Sequence, residues 1–469
     1  MEYSVRRATR ILGRFLRWLY VACAVLATVV VALANVRVHT GHRTMGGPAA
    51  PAVVAHLRAL SADLRGGAGE RMQSIYPEGF FFSHVLGGLA WVEVGRAAGA
   101  NSDLRREAIG EARWMLGRLD SPAGRAPFVH QSASPPFGVF YAGWSARLAG
   151  EVLSVQSPAE RDSHDVETFE RACTEIGEAI QQSPTPFLCA YAGQAWPCDS
   201  FVAMGALALH DRILEPRFTQ VIGPWVARAR AKVDPVLGLL PHFVDPQTGE
   251  AIVGPRGSSQ AIINAYLPEI DAGWGAEHYA AFRAAHFGSL MGIPGIREYP
   301  NGSSGAWDVD SGPLVGGLSA PASLAAIAAA RANSDTELAD ALLDVGEGAG
   351  VALGVGGTRR YVAGLFPLAD AFMVWAATRP AANGAGAPVL PRIVSPNWRW
   401  TIHGLSILIV GATWSPVIWR RVRGKHGKTA KKSRGIASRD APAPTATSPP
   451  PAASPAPPVA SYGSPGSAR

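Results

Sequence analysis

The stretch richest in potential chemistry is Phe187 to Ser200, FLCAYAGQAWPCDS. Cys189 and Cys198 frame it and Asp199 follows directly. A helix is expected to start near Asp199, with Asp199 or Ser200 as its N-cap. A thiol at a helix N-terminus has a lowered pKa and can act as acid, base or nucleophile. The same spacing also suits a disulfide, or two buried and inert thiols. Cys23 and Cys173 lack polar company, and no Cys/His spacing resembles a zinc site, so no metal is expected.

Three further segments carry reactive side chains. In REYPNGSSGAWDVDSGPLVGG, from Arg297, Asp308 and Asp310 flank Val309 in a Gly-rich loop. Such a pair can bind a metal or share a proton, and more often it caps the next helix, expected here near Pro313. Around Leu240 to Gln260, His242 lies on a candidate hairpin and Arg256, Ser258, Ser259 and Gln260 form a polar cluster where a helix begins. That cluster suits an anion or a hydroxyl substrate; N-capping by Ser258 or Ser259 is an equal reading. In IYPEGFFFSH, from Ile75, Tyr76 and Glu78 precede an aromatic run. Glu78 could serve as a general acid if buried, and Phe80 and its neighbours could line a pocket or simply fill the core. His130 and Tyr141 are isolated and read as structural.

The elements that must position these groups are helices. Apolar positions recur at helical spacing over 50–64, 80–98, 102–118, 137–154, 164–181, 199–212, 217–232, 258–270, 276–290, 313–331, 335–346 and 366–377. Strand patterns are few. HFVDPQTGEAIV, between Leu239 and Val253, reads as one short hairpin around its DPQTG turn. About a dozen helices with short connections and no fixed sequence period suggest an all-α (α/α)6 barrel over residues 40–395, with the site in the loops at one end.

Apolar segments flank that domain. Leu19 to Asn35 and Ile402 to Trp419 contain no Asp, Glu, Lys or Arg. They read as transmembrane helices over 19–36 and 402–419, the first also compatible with a cleaved signal peptide. The net charge of +7 is concentrated beside them, in the Arg-rich residues 1–18 and the basic start of 420–469. The charge is therefore better explained by a membrane than by nucleic acid, and both termini are expected in the cytoplasm with the central domain outside it. Only 17% of residues are charged while 48% are hydrophobic, which fits a membrane-anchored chain. Beyond residue 440 the Pro/Ala/Ser-rich tail has almost nothing to bury and is expected to be disordered.

The stretch LCAYAGQAWPCDSFVAMGALALHDRILEPRF resembles the bacterial linalool dehydratase/isomerase family, with its two cysteines just before a helix that ends in a Tyr-Asp-Arg-like element, here His210-Asp211-Arg212. The likeness continues through VDPVLGLLPHFVDPQTGEAI and GAWDVDSGP and covers about residues 165–345. It implies an (α/α)6 barrel, a periplasmic setting and cofactor-free acid–base chemistry on an apolar allylic alcohol, with Cys189 and Cys198 matching the family's two cysteines. The chain departs from the family at several positions. Trp144 stands about where the family's catalytic histidine lies, a family tyrosine becomes Gln260, and the nearest upstream acid and phenol are Glu78 and Tyr76.

The expected protein is thus a lyase or isomerase acting on a small hydrophobic substrate at the membrane, with a homo-oligomer compatible. Cys189 and Cys198 would be the acid–base pair and Glu78 or Asp199 would assist. Tyr76, Phe80, His242, Arg256, Gln260, Asp308 and Asp310 would line the substrate site. The alternatives are a carbohydrate-processing barrel and a non-catalytic barrel stapled by a Cys189–Cys198 disulfide.

Overall fold

Helices buried on every face alternate along the chain with helices that bury a single stripe. The computed structural model describes residues 2–129, 134–382 and 390–437, with side chains described except at 2–8, 10, 355 and 422–437; His130 and the tail beyond 440 lie outside the described residues. Two thirds of the chain is helical.

In order the helices are α1 (Glu2–Thr44), α2 (Pro51–Arg65), α3 (Ala68–Gln73), α4 (Gly79–Ala97), α5 (Asp103–Leu119), α6 (Pro122–Arg125), α7 (Gly138–Ser154) and α8 (Ser163–Gln182). There follow α9 (Pro197–Ile213), α10 (Thr219–Arg230), α11 (Gly257–Ile270), α12 (Ala272–His286), α13 (Ala320–Ala332), α14 (Thr336–Gly350), α15 (Pro367–Thr378) and α16 (Trp398–Ala437). Short strands fill three connections. β1 (Phe243–Val244) pairs with β2 (Ala251–Val253), β3 (Phe287–Leu290) with β4 (Ile293–Arg297) and β4 with β5 (Leu318–Ser319), and β6 (Leu353–Val355) with β7 (Thr358–Arg360), all antiparallel.

Sequence pattern sets the two kinds of helix. In α4 every residue from Gly79 to Gly95 is buried, and in α9 every residue from Asp199 to His210. In α5 only Ala108, Ala112, Met115 and Leu119 are buried, the three- and four-residue spacing of one helix face. The fully buried helices pack on one another in chain order: α4 on α7, α7 on α9, α9 on α11, α11 on α13 and α13 on α15, while α15 returns to α4. Each carries a one-faced partner, α5 on α4, α8 on α7, α10 on α9, α12 on α11, α14 on α13 and α2 on α15. Side-chain oxygens of Ser102, Asp162, Asp271 and Asp335 cap α5, α8, α12 and α14, satisfying backbone N–H groups that have no partner within the helix.

This alternation separates the connections into two sets. Short turns, 98–102, 155–162, 214–218, 271 and 333–335, leave the C-termini of the fully buried helices. The longer segments 66–78, 120–137, 183–196, 231–256, 287–319 and 351–366 all lead to their N-termini.

Near the C-terminal halves of the buried helices lies a charged knot. Arg147 donates to Glu269 Oε2 at 2.9 Å and to the Gly205 carbonyl at 3.1 Å, and also pairs with Glu151. Glu269 further accepts from Arg212 at 2.8 Å and from Arg379. The Arg147 and Arg379 guanidinium groups lie 5.1 and 4.5 Å from the Tyr266 ring centre. Despite burial, these cations hold the Glu269 and Glu151 carboxyls below the usual carboxylate range. The knot ties α7, α9, α11 and α15 together.

The chain divides into two compact units, residues 1–410 and 411–469. Two helices are long and apolar enough to cross a membrane, over Ile11–Thr44 and Trp398–Arg421, and almost none of either apolar stretch is buried. Within the first unit α1 packs along α14. A Cβ on Gly41 would come within 2.8 Å of Glu347, and one on Gly348 within 2.3 Å of Val38, so glycine permits the close approach. Asp344 accepts from the His42 backbone N–H at 2.8 Å and from Arg399 at 2.5 Å.

Most helix boundaries fall within a few residues of the sequence expectation, and β1–β2 is the expected hairpin. Two helices differ. The expected 276–290 ends at His286 because Phe287 turns into β3, and the expected 313–331 begins only at Ala320, after β5. The strands β3 to β7 were not expected. β4 contains Pro294 and Gly295, which signal a turn rather than a strand.

Candidate active site

Four of the longer segments bring the reactive side chains together. Tyr191, from the segment before α9, donates its hydroxyl to Glu78 at the N-cap of α4. Tyr76, just upstream, donates to Asp310 Oδ1 at 3.1 Å. Arg256, at the N-cap of α11, pairs with Asp308 and donates from Nε to Glu298 at 2.8 Å. The Cys198 thiol points to Asp199 Oδ1 at 3.9 Å. One neighbourhood therefore holds Glu78, Asp199, Asp310, Tyr76, Tyr191 and Cys198.

Local backbone features fix these positions. Pro197 is the first residue of α9, where its missing N–H is no loss, and it places Cys198 and Asp199 in the first turn. The N-cap is Trp196, with no side-chain cap, so neither Asp199 nor Ser200 caps α9 as expected. Ser200 instead accepts from the Leu188 N–H at 3.1 Å, holding the Cys189 segment against the helix. Gly138 has φ +81°, and a Cβ there would lie 2.2 Å from the Ala190 carbonyl oxygen. Glycine thus lets α7 start directly on that segment, with Val139 donating to the Cys189 carbonyl at 2.9 Å.

The Asp308 loop is also built differently from the expectation. Asp308 Oδ1 accepts from the backbone N–H groups of Asp310 and Ser311, at 3.1 and 3.0 Å, and so shapes its own turn. Ser319 caps α13. Nor do Ser258 and Ser259 cap α11. The fully buried Glu298 does this work, accepting from the Ser258 N–H at 3.3 Å and its hydroxyl at 2.7 Å. Sequence reasoning passed over Glu298 and Tyr191. The only signal for Glu298 was its place before the Asp308 loop, and for Tyr191 its place between the two cysteines.

Electrostatics divides the carboxyls into two kinds. Burial tends to raise Asp308, but hydrogen bonds from Arg256 and Ser311 bring it down to about 2, so it is a structural anion. Burial raises Asp310 to about 6, helped by the charge of Asp308 and opposed by the Tyr76 hydroxyl. Burial pushes Asp199 well above the ordinary carboxylate range, reinforced by Asp310 and Glu78. Burial likewise pushes the Cys198 thiol well up, with Asp199 and Asp310 adding to it. The lowered thiol expected at a helix N-terminus is therefore reversed, because desolvation and two nearby carboxyls outweigh the helix dipole. Tyr76 and Tyr191 are raised by burial and by the carboxyls they bond. Tyr76, Glu78, Cys198 and Asp310 are each partly exposed, and Asp199 is buried beside them.

The other expected residues separate from this group or support it. Cys189 stands apart and lines a recess of about 450 Å³ with Phe187, Gly193 and Gln247. Burial raises its thiol, against N–H bonds from Gly193 and Gln194. Both Cys189 and Cys198 are free thiols, so the structure contains no staple between them. Phe80 does not line the site. It packs against His84 and under Arg118, and Gly69 of α3 touches it. The inward-facing ring is Phe82, which stacks on Tyr76 at 6.3 Å and meets Phe140, Trp144 and Phe372. The three consecutive phenylalanines point in different directions because successive helical residues are about 100° apart. His242 is buried, bonds Ser259 at 3.1 Å and is lowered to about 4 by burial and by Arg256, so it is neutral at pH 7. Gln260 is fully buried and donates to the Leu240 carbonyl at 2.8 Å, with its Oε1 unpartnered. Trp144 is core, 1% exposed, packed against Tyr266 and Trp375. Tyr141 donates to Asp120 at 2.5 Å at the start of α7.

A mostly helical protein with a cluster of partly buried carboxyls is the class these observations define. No family model matches the chain, and no curated protein matches it.

Proposed function

We propose that the chain is a membrane-anchored (α/α)6 barrel that acts as a cofactor-free lyase or isomerase on a hydrophobic, isoprenoid-like alcohol, similar to the linalool dehydratase/isomerase family. The return of α15 to α4, with one outer helix on each inner one, supports the barrel. The two apolar helices and the basic residues beside them support an inner-membrane anchor, with both termini cytoplasmic and the barrel outside.

One observation carries the chemistry. Burial, with the Asp310 and Glu78 carboxyls, pushes Asp199 well above the ordinary carboxylate range, while Asp310 beside it ionises near pH 6. Two neighbouring carboxyls in unequal environments suit an acid and a base. Asp199 would give its proton to the alcohol oxygen, the C–O bond would break, and water would leave with the bonding electrons. Asp310 would then take a proton from the carbon next to the allylic cation, forming the alkene. Water returning at the far allylic carbon, and losing a proton to Asp310, would give the isomeric alcohol. Transfer of that proton to Asp199 restores the starting state. Cys198 stays a thiol and donates to Asp199, Tyr76 orients Asp310, and Cys189 no longer serves as the partner acid or base. The aromatic wall of Tyr76, Phe82 and Phe140 suits an apolar chain and keeps water from the cation.

The test is turnover of a panel of allylic alcohols by the full-length protein in nanodiscs, read by gas chromatography. Alkene or isomerised alcohol is expected from the wild type, falling about a hundredfold or more in Asp199→Asn and Asp310→Asn. No turnover on any alkenol, or undiminished turnover in both variants, would overturn the reading. The same two carboxyls also suit glycoside cleavage. Activity on glycosides in place of alkenols would select a carbohydrate-processing barrel.

A further inference from the structure

We propose that the end of the barrel that carries the acid cluster is a membrane-docking surface, so that the cluster takes its substrate from the lipid phase: an amphiphile with an apolar chain and a single polar group. The proposal rests on reading α1 and α16 as membrane spans.

The first observation is the direction in which the two apolar helices set out. α14 runs from the short turn after α13 towards the segment 351–366, that is, towards the end that holds the N-termini of the inner helices. α1 lies antiparallel to it. His42 bonds Asp344, Gly41 approaches Glu347, and Ala34 and Val38 reach Gly348. The residues before Ala34 therefore extend past the end of α14, on the side of the site. Residues 11–33 would project about 35 Å at about 1.5 Å per residue, enough to cross a hydrocarbon core of about 30 Å. The start of α16, within the first unit, heads the same way. Arg399 bonds the Val38 carbonyl at 2.7 Å, and His403 and Ser406 each meet Asn35 at 2.6 Å, so its start is antiparallel to α1.

The second observation is independent. Outside α1 and α16, every large hydrophobic side chain that is exposed among the described residues lies in a segment leading to an inner-helix N-terminus. Ile75 is 65% exposed, Met291 67%, Trp307 63% and Leu365 76%, with Val309 and Phe366 beside them. Among the described residues, the short turns at the opposite end carry none. Ile75 adjoins Tyr76, and Trp307 and Val309 flank Asp308 next to Asp310, so the rim borders the acid cluster itself. Thr401 of α16 bonds the Met291 carbonyl at 2.7 Å, joining the rim to a departing helix. An apolar rim on the side from which α1 departs, and towards which α16 sets out, is a surface made for lipid.

Photo-crosslinking of the full chain in phosphatidylethanolamine/phosphatidylglycerol nanodiscs tests this. p-Benzoylphenylalanine is placed singly at Leu365, Met291 or Trp307 on the rim, at Leu26 within α1, and at Asn101 in an opposite turn, with lipid adducts read by mass spectrometry. Adducts are expected at the three rim positions and at Leu26, and not at Asn101. Adducts at Leu26 without any at the rim would overturn the docking surface, as would rim crosslinks to a second copy of the chain instead of lipid. Absence of adducts at Leu26 would overturn it together with the spans. The readout needs no turnover, so failure of the acid–base reading shows separately, in the alkenol panel.

Discussion

Replacing Asp310 by asparagine should make the protein more stable at neutral pH while removing its proposed base. The carboxyl of Asp310 titrates near 6 in the fold against an ordinary 3.8. The folded state thus holds a proton that the unfolded state has released, and stability falls as pH rises between those values. The contribution is fully present below pH 3.8 and lost once pH passes about 6. A gap of about two pH units, at about 1.4 kcal/mol each, is a penalty of ~3 kcal/mol. The substituted side chain would carry no charge, yet its amide oxygen can still accept from the Tyr76 hydroxyl, which in the wild type donates to Asp310 at 3.1 Å. The variant should therefore gain up to ~3 kcal/mol at pH 7.5 and little at pH 4. Over a domain of this size the unfolding entropy is roughly 0.7 kcal/mol/K, so the gain corresponds to about 4 °C in Tm. Scanning calorimetry of wild type and Asp310→Asn in the same detergent, at both pH values, reads the difference directly. A variant that is equally or less stable at pH 7.5, or a gain as large at pH 4, would refute the reasoning. The result would mean that Asp310 is not a desolvated carboxyl.

Two further outcomes follow from the same geometry. Cys198 should alkylate more slowly than a free cysteine at pH 8, since each pH unit by which a thiol is raised cuts its thiolate about tenfold; Asp310→Asn should speed it, because Asp310 adds to the rise. Mass-resolved alkylation checks this, and a fast-reacting Cys198 in the wild type would contradict the desolvated site. Arg147→Met should destabilise the fold by about 3 kcal/mol, because it leaves the buried Glu151 with Arg96 as its remaining ion-pair partner and removes two of the bonds to Glu269. Thermal unfolding at the wild-type temperature would show that the charged knot is not holding α7 to α11.

Much of the architecture was legible in the sequence. Helical spacing of apolar residues depends only on local periodicity, so α2, α4, α5 and α7 to α11 fall close to where the pattern puts them. The strands β3 to β7 were not legible, because they are short, β3, β4 and β6 carry Gly or Pro, and all exist only through pairing with another strand. The two apolar helices were legible from composition alone.

The sequence determined which residues had the chemistry: Glu78, Asp199, Asp310, Tyr76 and Cys198 were all visible as candidates. Only the tertiary structure decided their roles. Two aspartates two residues apart look equivalent in sequence, yet Arg256 lowers Asp308 while burial raises Asp310. Two cysteines look like a pair, yet one stands with Asp199 and the other lines a recess apart from it. Protonation and partnership depend on which charges and how much protein surround a group, and those neighbours come from segments up to 234 residues apart, as with Tyr76 and Asp310. No local pattern encodes distances of that kind; the packing of helices around a common core sets them.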